Sequence, residues 1–164
     1  VNNGIASQVG GSVSNTATHA SGTHGYRSGG DVIGVGGGLS EKIEQWSFST
    51  DGNAVNISNL QAAAGTLCGG SSEYSGYIMH SGPASTGVEK FSFASHTNAT
   101  NVGEYFENIN RIGACSSSTT HYYQAGGNYG PHDTIQKGAF ASDGDMTDVG
   151  NIPSGRAYIW GNQD

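Results

Sequence analysis

Charge is scarce in this sequence. Only 12% of its 164 residues are Asp, Glu, Lys or Arg, about half the ~25% usual for a soluble domain. Lys and Arg together number six, against thirteen Asp and Glu, for a formal net charge of −7. No basic stripe exists to follow a phosphate backbone, so nucleic-acid binding is not expected. The mild, dispersed acidity reads as a solubility feature. Long apolar runs are also missing. None approaches the ~18 residues of a membrane helix, so no membrane insertion is expected. A helical period is absent from every stretch of ten or more residues. Only Gln61-Ala62-Ala63-Ala64 hints at helix, and its place in a repeat outweighs the hint.

What is present is glycine, 28 residues of it, with eight Tyr, five Phe and two Trp at regular places. Low charge with low hydrophobicity would suit disorder, but disordered chains carry few aromatics. The reading is one folded, turn-rich all-β domain. The chain begins at Val1, which predicts a processed chain or a fragment.

One short paragraph of sequence is written three times. Ile43-Glu44-Gln45-Trp46-Ser47-Phe48-Ser49 returns as Val88-Glu89-Lys90-Phe91-Ser92-Phe93-Ala94 and as Ile135-Gln136-Lys137-Gly138-Ala139-Phe140-Ala141. Phe48 and Phe93 are 45 residues apart, Phe93 and Phe140 are 47. A period of this size marks a propeller, solenoid or array. Four strand-like segments recur in the order d, a, b, c. The b segments are those just quoted. Trp46 with Phe48, and Phe91 with Phe93, share a face by the period of two. Gly138 replaces the first aromatic in the third repeat, so a thinner face is expected there. The turns Asp51-Gly52-Asn53, His96-Thr97-Asn98 and Asp143-Gly144-Asp145 follow, with residues that tolerate positive φ. Short polar c strands come next at 54–57, 99–102 and 146–149. The d strands are expected at 5–9, 62–67, 111–114 and 156–160. The a strands begin at His24, Gly76 and His121, and each carries Tyr and ends in Gly.

The residues Gly29-Gly30, Gly126-Gly127, Arg111, Gly113, Ala114, Arg156, Tyr77 and Tyr123 give the chain an order that resembles the kelch repeat. The line Phe91-Ser92-Phe93-Ala94-Ser95 is similar to degenerate Gly/Ser-rich kelch-like repeats of structural and fibre proteins from aquatic bacteriophages. The resemblance covers nearly the whole chain and implies four-stranded propeller blades. Two positions depart from it. Ser81-Gly82 stands where the other repeats have a Gly doublet, and Trp46 lacks an aromatic counterpart in the third repeat.

The expected architecture is therefore a single all-β repeat domain, propeller-like or an open blade array. Its repeats span about 5–57, 62–102 and 111–149, with an extra strand at 155–160. Closed propellers typically have 4–8 blades, so three blades and a spare strand point to completion by other copies. The unpaired edge of that strand, Arg156, Ala157, Tyr158, Ile159 and Trp160, is the expected assembly joint. A head-to-tail contact that fails to close would give a filament.

No catalytic constellation is expected. The chain has no Gly-x-Ser-x-Gly elbow and no P-loop ending after Gly34-Val35-Gly36-Gly37-Gly38. That glycine-rich loop, longest in the first repeat, is a candidate partner loop. His19, His24, His80, His96, His121 and His132 show no recognised ligand spacing, and Asp143 to Asp148 lacks the full ligand set of a calcium loop. Neither metal nor cofactor is expected. Asn56-Ile57-Ser58 and Asn98-Ala99-Thr100 are sequons, so Asn56 and Asn98 are glycosylation candidates. Cys68 and Cys115 hold roughly equivalent repeat positions. Such positions usually lie beyond the ~7 Å reach of a disulfide, so buried free thiols are expected.

The expected function is a non-enzymatic structural protein. It would act as a subunit of a homo-oligomeric assembly or fibre, extracellular or on a virion surface, with copies of itself as partners. The alternative is a carbohydrate-binding adhesin or receptor-binding fibre module that takes glycans on exposed Tyr and Trp. A fragment of a propeller enzyme is the third and weakest class.

Overall fold

The computed structural model describes residues 11–34, 37–82, 85–107, 114–127 and 132–155. Among them there are fourteen strands and no helix. The chain is all-β, as its period of two and its turn chemistry predict.

The strands form three antiparallel sheets in chain order. The first contains β1 (Gly11–Ser14), β2 (Ala17–Ala20), β3 (His24–Ser28), β4 (Asp31–Gly34), β5 (Gly38–Ser47) and β6 (Val55–Ala64). The second runs β7 (Leu67–Ser71), β8 (Ser75–Gly82), β9 (Ser85–Ser92), β10 (Thr100–Gly103). The third runs β11 (Ala114–Ser117), β12 (His121–Ala125), β13 (Thr134–Ala139), β14 (Thr147–Asn151). β2-β3-β5-β6 is the first copy of the same four-strand meander; β1 and β4 are added to it through the long loop of the first repeat.

Local chemistry repeats with the strands. Each hairpin between the first two strands of a meander is closed by a serine. Ser21, Ser72 and Ser118 each accept the backbone N–H three residues on at their hydroxyl, and donate their own N–H to the carbonyl there. The outer strand pair carries a register shift at the same place in all three sheets, opposite Ile43/Glu44, Val88/Glu89 and Ile135/Gln136. A bulge that recurs three times is a designed bend, which re-aims the outer strand. Gly29, Gly30, Gly126 and Gly127 all have positive φ, so the chain breaks sharply after β3 and β12. The middle repeat has Ser81-Gly82 instead, and β8 runs straight on into its hairpin with β9.

The d strands lie later than expected. Residues 62–64 complete β6, because β5 is ten residues long and offers partners out to Ser40↔Ala64. Thr66, at φ 57°, then turns the chain and the d strand begins at Leu67. The same ladder overrides the helical hint at 61–64. In the first sheet the d position is filled by β2; the expected strand at 5–9 lies outside the described residues. So do residues 111–113 and the whole expected assembly strand at 156–160.

Two cores separate the sheets. Ala17, Tyr26, Ile43, Leu60, Leu67, Ile78 and Phe91 fill the space between the first and second sheets. Cys68, Tyr77, Met79, Val88, Tyr122 and Met146 fill that between the second and third. The second sheet is covered on both faces, and every residue from Ser75 to His80 in β8 is buried. By the described residues, the third is covered on one face only. Burial alternates along β12 and β13, with Tyr122, Gln124, Gln136 and Gly138 inward.

Candidate functional site

The repeated chemistry of this chain is concentrated where one sheet meets the next. Each such joint is built from one strand pair of the leading sheet and the b strand and turn of the following one.

At the first joint the Tyr26 ring stacks on Phe93 (4.6 Å between centroids, 16° between planes) and meets Phe91 edge-on. At the second, Tyr77 lies 4.8 Å from Phe140 and 4.9 Å from Tyr122. Tyr26 and Tyr77 occupy the same register position, opposite Gln45 and Lys90. Phe93 and Phe140 are likewise equivalent.

Beside each aromatic position stands a glycine that makes room for it. Gly25 pairs with Trp46, Gly76 with Phe91, and a Cβ on either glycine would collide with the facing ring. In the third sheet the pair is exchanged. Tyr122 stands on the a strand, and Gly138 on the b strand makes room for its ring. The face at Gly138 is therefore not thin. Its ring arrives from the neighbouring strand, which a comparison of b segments alone cannot reveal.

Polar contacts repeat too. The backbone N–H of Ala99 donates to Asn59 O (2.9 Å), and that of Met146 to Glu104 O (2.8 Å). In return Asn59 N–H donates to Asn98 Oδ1 and Glu104 N–H to Asp145 Oδ1, both at 3.0 Å. Deeper in, Gln61 N–H donates to Glu89 Oε2 and Glu107 N–H to Gln136 Oε1. At the second joint Lys90 Nζ reaches both Asp143 oxygens (3.1 and 3.0 Å). Burial works against the Lys90 charge, but Asp143 and the Tyr77 hydroxyl together hold the ammonium above its ordinary range. Tyr77 donates to Asp143 as well, and burial first of all keeps its phenol protonated.

Cys68 and Cys115 are joined by a disulfide across the second joint, with Cα atoms 5.9 Å apart. This overturns the expectation of free thiols. The two residues are not equivalent in register: Cys68 faces Met79, whereas Cys115 faces Gln124, the equivalent of Ile78. A shift of one residue turns a side chain to the opposite face of its sheet. Cys68 therefore looks forward from the second sheet and Cys115 looks back from the third. The strands that carry them, β7 and β11, are neighbours.

The histidines do not gather. His24 and His121 each bond the preceding Thr hydroxyl at 2.8 Å. His80 Nε2 bonds Glu89 at 2.9 Å in the core, His132 meets Glu107 at 3.3 Å, and His96 sits exposed in its turn. Among the described residues no three His, Cys, Asp or Glu side chains are placed to hold a metal ion. The acidic turn is engaged: Asp143 by Lys90 and Asp145 by Glu104 N–H across the joint, Asp148 by Gly150 N–H within its own strand. Of the sequon residues, Asn98 is exposed but accepts Asn59 N–H at the joint. The Asn56 amide nitrogen donates to Ile43 O and Ser58 O within the bulge, and a glycan there would take the place of one of these bonds.

His19 is the exception that burial makes informative. It projects from β2 onto the edge of Phe91 (5.3 Å), and its Nδ1 lies 3.1 Å from Gly70 O. Burial lowers its pKa to about 4, against a smaller opposing effect of the Gly70 carbonyl. The unfolded chain, with an ordinary value near 6.5, takes up the proton first. The stability contributed by neutral His19 is thus complete above pH 6.5 and is lost as pH falls toward 4. Between pH 7.5 and 4.5 the wild type should lose roughly 2–3 kcal/mol more than His19→Gln. Urea unfolding of both proteins at the two pH values measures this, and parallel losses would refute it.

Among the described residues, two faces are left over. On the first sheet, Phe48 holds the position of Phe93 and Phe140 but is 57% exposed. Asp51 and Asn53 hold those of Asp143 and Asp145 and are exposed. On the third sheet, Tyr123 holds the position of Tyr26 and Tyr77, yet lies on the side of β12 that no described sheet covers and is only partly buried. Lys137 and Asn151 there match Lys90 and Glu104. Among the described residues neither Lys137 nor Asp51 has an ion-pair partner. From the sequence these residues are read only as strand, turn and kelch-like positions, not as parts of a joint. Their signal was present in the alignment of Lys90 with Lys137 and of Asp143 with Asp51, but it acquires meaning only when the joint is seen. No protein-family model matches the chain, and comparison with curated proteins finds no significant match.

Proposed function

We propose that this chain is a non-enzymatic structural protein, a kelch-like, propeller-type subunit of a homo-oligomeric assembly on a virion or in the extracellular space. Strand or blade complementation joins its copies. The observation that carries this reading is the pair of leftover faces. Each presents one half of a joint that the chain makes twice within itself. Tyr26, Tyr77 and Tyr122, Asp143 and Asp145, and His24, His80, His121 and His132 are engaged in packing, turn and inter-sheet contacts. The Cys68–Cys115 disulfide supports an oxidising location, since disulfides persist chiefly outside the cytosol.

Native mass measurement of the purified chain tests the reading. An assembly of copies is expected, and a monomer at tens of micromolar would sink it. A truncation lacking residues 155–164 separates the two forms of complementation. Loss of assembly with the repeats still folded assigns the joint to the terminal strand; an unchanged assembly assigns it to the blade faces. Specific binding of the monomer on a glycan array would favour the adhesin reading instead.

A further inference from the structure

We propose that the face of the third sheet that no described residue covers docks onto the corresponding open face of the first sheet of a second copy, and that two copies close head-to-tail into a six-sheet ring. The inference rests on the assembly reading and names its partner, its register and its size.

The occupant follows from continuity. Both internal joints share a register, a Tyr–Phe contact and a pair of backbone contacts. Among the described residues the ion pair belongs to the second joint alone, Gln45 and His96 standing at its positions in the first. The two free faces hold the matching halves of the second joint. Placed in that register, Tyr123 meets Phe48 of the second copy as Tyr26 meets Phe93 and Tyr77 meets Phe140. Lys137 meets Asp51 as Lys90 meets Asp143. The Asn151 N–H meets Asn53 Oδ1 as Asn59 meets Asn98 and Glu104 meets Asp145.

Charge reinforces the match. Lys137 stands on the third sheet's free face and Asp51 beside the first's, so the contact between unlike faces brings opposite charges together. Contact between two like faces would set Lys137 against Lys137, or Asp51 against Asp51. Charge arrangement of this kind fixes orientation and suppresses wrong partners. The faces also hold apolar surface in need of cover. Val149, at the outer strand, is 47% exposed. Ile135, which aligns with the fully buried Ile43 and Val88, is only partly covered.

The size follows from closure. Rings of stacked four-stranded sheets have about 4–8 members. One copy supplies three sheets, two supply six, and three would supply nine. A twofold dimer satisfies both free faces at once, because each copy's third sheet covers the other's first.

The test is sedimentation velocity of the full chain at micromolar concentration, supported by native mass spectrometry. A species of twice the 16.8 kDa chain mass is expected. Lys137→Asp and Asp51→Lys should each weaken association by about tenfold or more, and the double variant should regain the dimer. Asp51 is exposed and Lys137 only partly buried, so unchanged circular dichroism is expected for every variant. A wild-type dimer indifferent to both reversals would overturn the proposed register while leaving the assembly reading intact. A long polymer would overturn closure alone. A monomer would remove the inference together with the reading on which it rests.

Discussion

Replacing Cys68 and Cys115 with serine is expected to cost about 4 kcal/mol of stability. The bridge spans a sequence separation of 47 residues, and the chain-entropy relation gives that magnitude for a loop of this length. The bridge also ties β7 to β11 across the second joint. The loss should therefore show as easier separation of the third sheet. Urea unfolding of the wild type, the wild type under reductant, and Cys68→Ser/Cys115→Ser measures it. The reduced protein and the double variant should unfold together, well below the oxidised wild type. A difference under about 1 kcal/mol would mean that the bridge constrains little in the unfolded chain.

Tyr122→Gly is expected to cost about 3–5 kcal/mol, the usual range for truncating a buried aromatic ring. Tyr122 is fully buried, 4.9 Å from the Tyr77 ring and 5.6 Å from Phe140. Gly138→Phe alone should also destabilise, by roughly 1–3 kcal/mol, because the new side chain enters space that Tyr122 fills. Tyr122→Gly with Gly138→Phe recreates the arrangement of the second repeat, where Gly76 faces Phe91. That double variant should recover most of the loss. A double-mutant cycle by urea denaturation gives the coupling. If the two losses simply add, the exchange of ring and glycine between strands is not what holds this face. Tyr122→Phe should be close to neutral, because the buried hydroxyl has no hydrogen-bond partner among the described residues.

Part of this architecture is legible without coordinates. The turns at 51–53, 96–98 and 143–145, the b strands at their 45- and 47-residue spacing, and the Tyr of each a strand all sit where local rules put them. The d strands were misjudged because β6 runs on to Ala64, and its length depends on how far β5 extends beside it. The free faces were invisible for a related reason. Phe48, Phe93 and Phe140 look alike in a line of sequence, yet among the described residues the last two alone have a sheet in front of them.

The residue order by itself determined that the chain is all-β, that it repeats three times, and where most of its turns fall. Those properties depend on alternation along a strand and on the φ preferences of a few residues, both of which are local. Tertiary structure alone decided which cysteine faces which, which strand supplies the ring at each joint, and which aromatic is left uncovered. A slip of one residue reverses the face a side chain presents, as it does between Cys68 and Cys115. Partners across a joint are therefore set by register and by stacking order, which do not appear until the sheets are assembled.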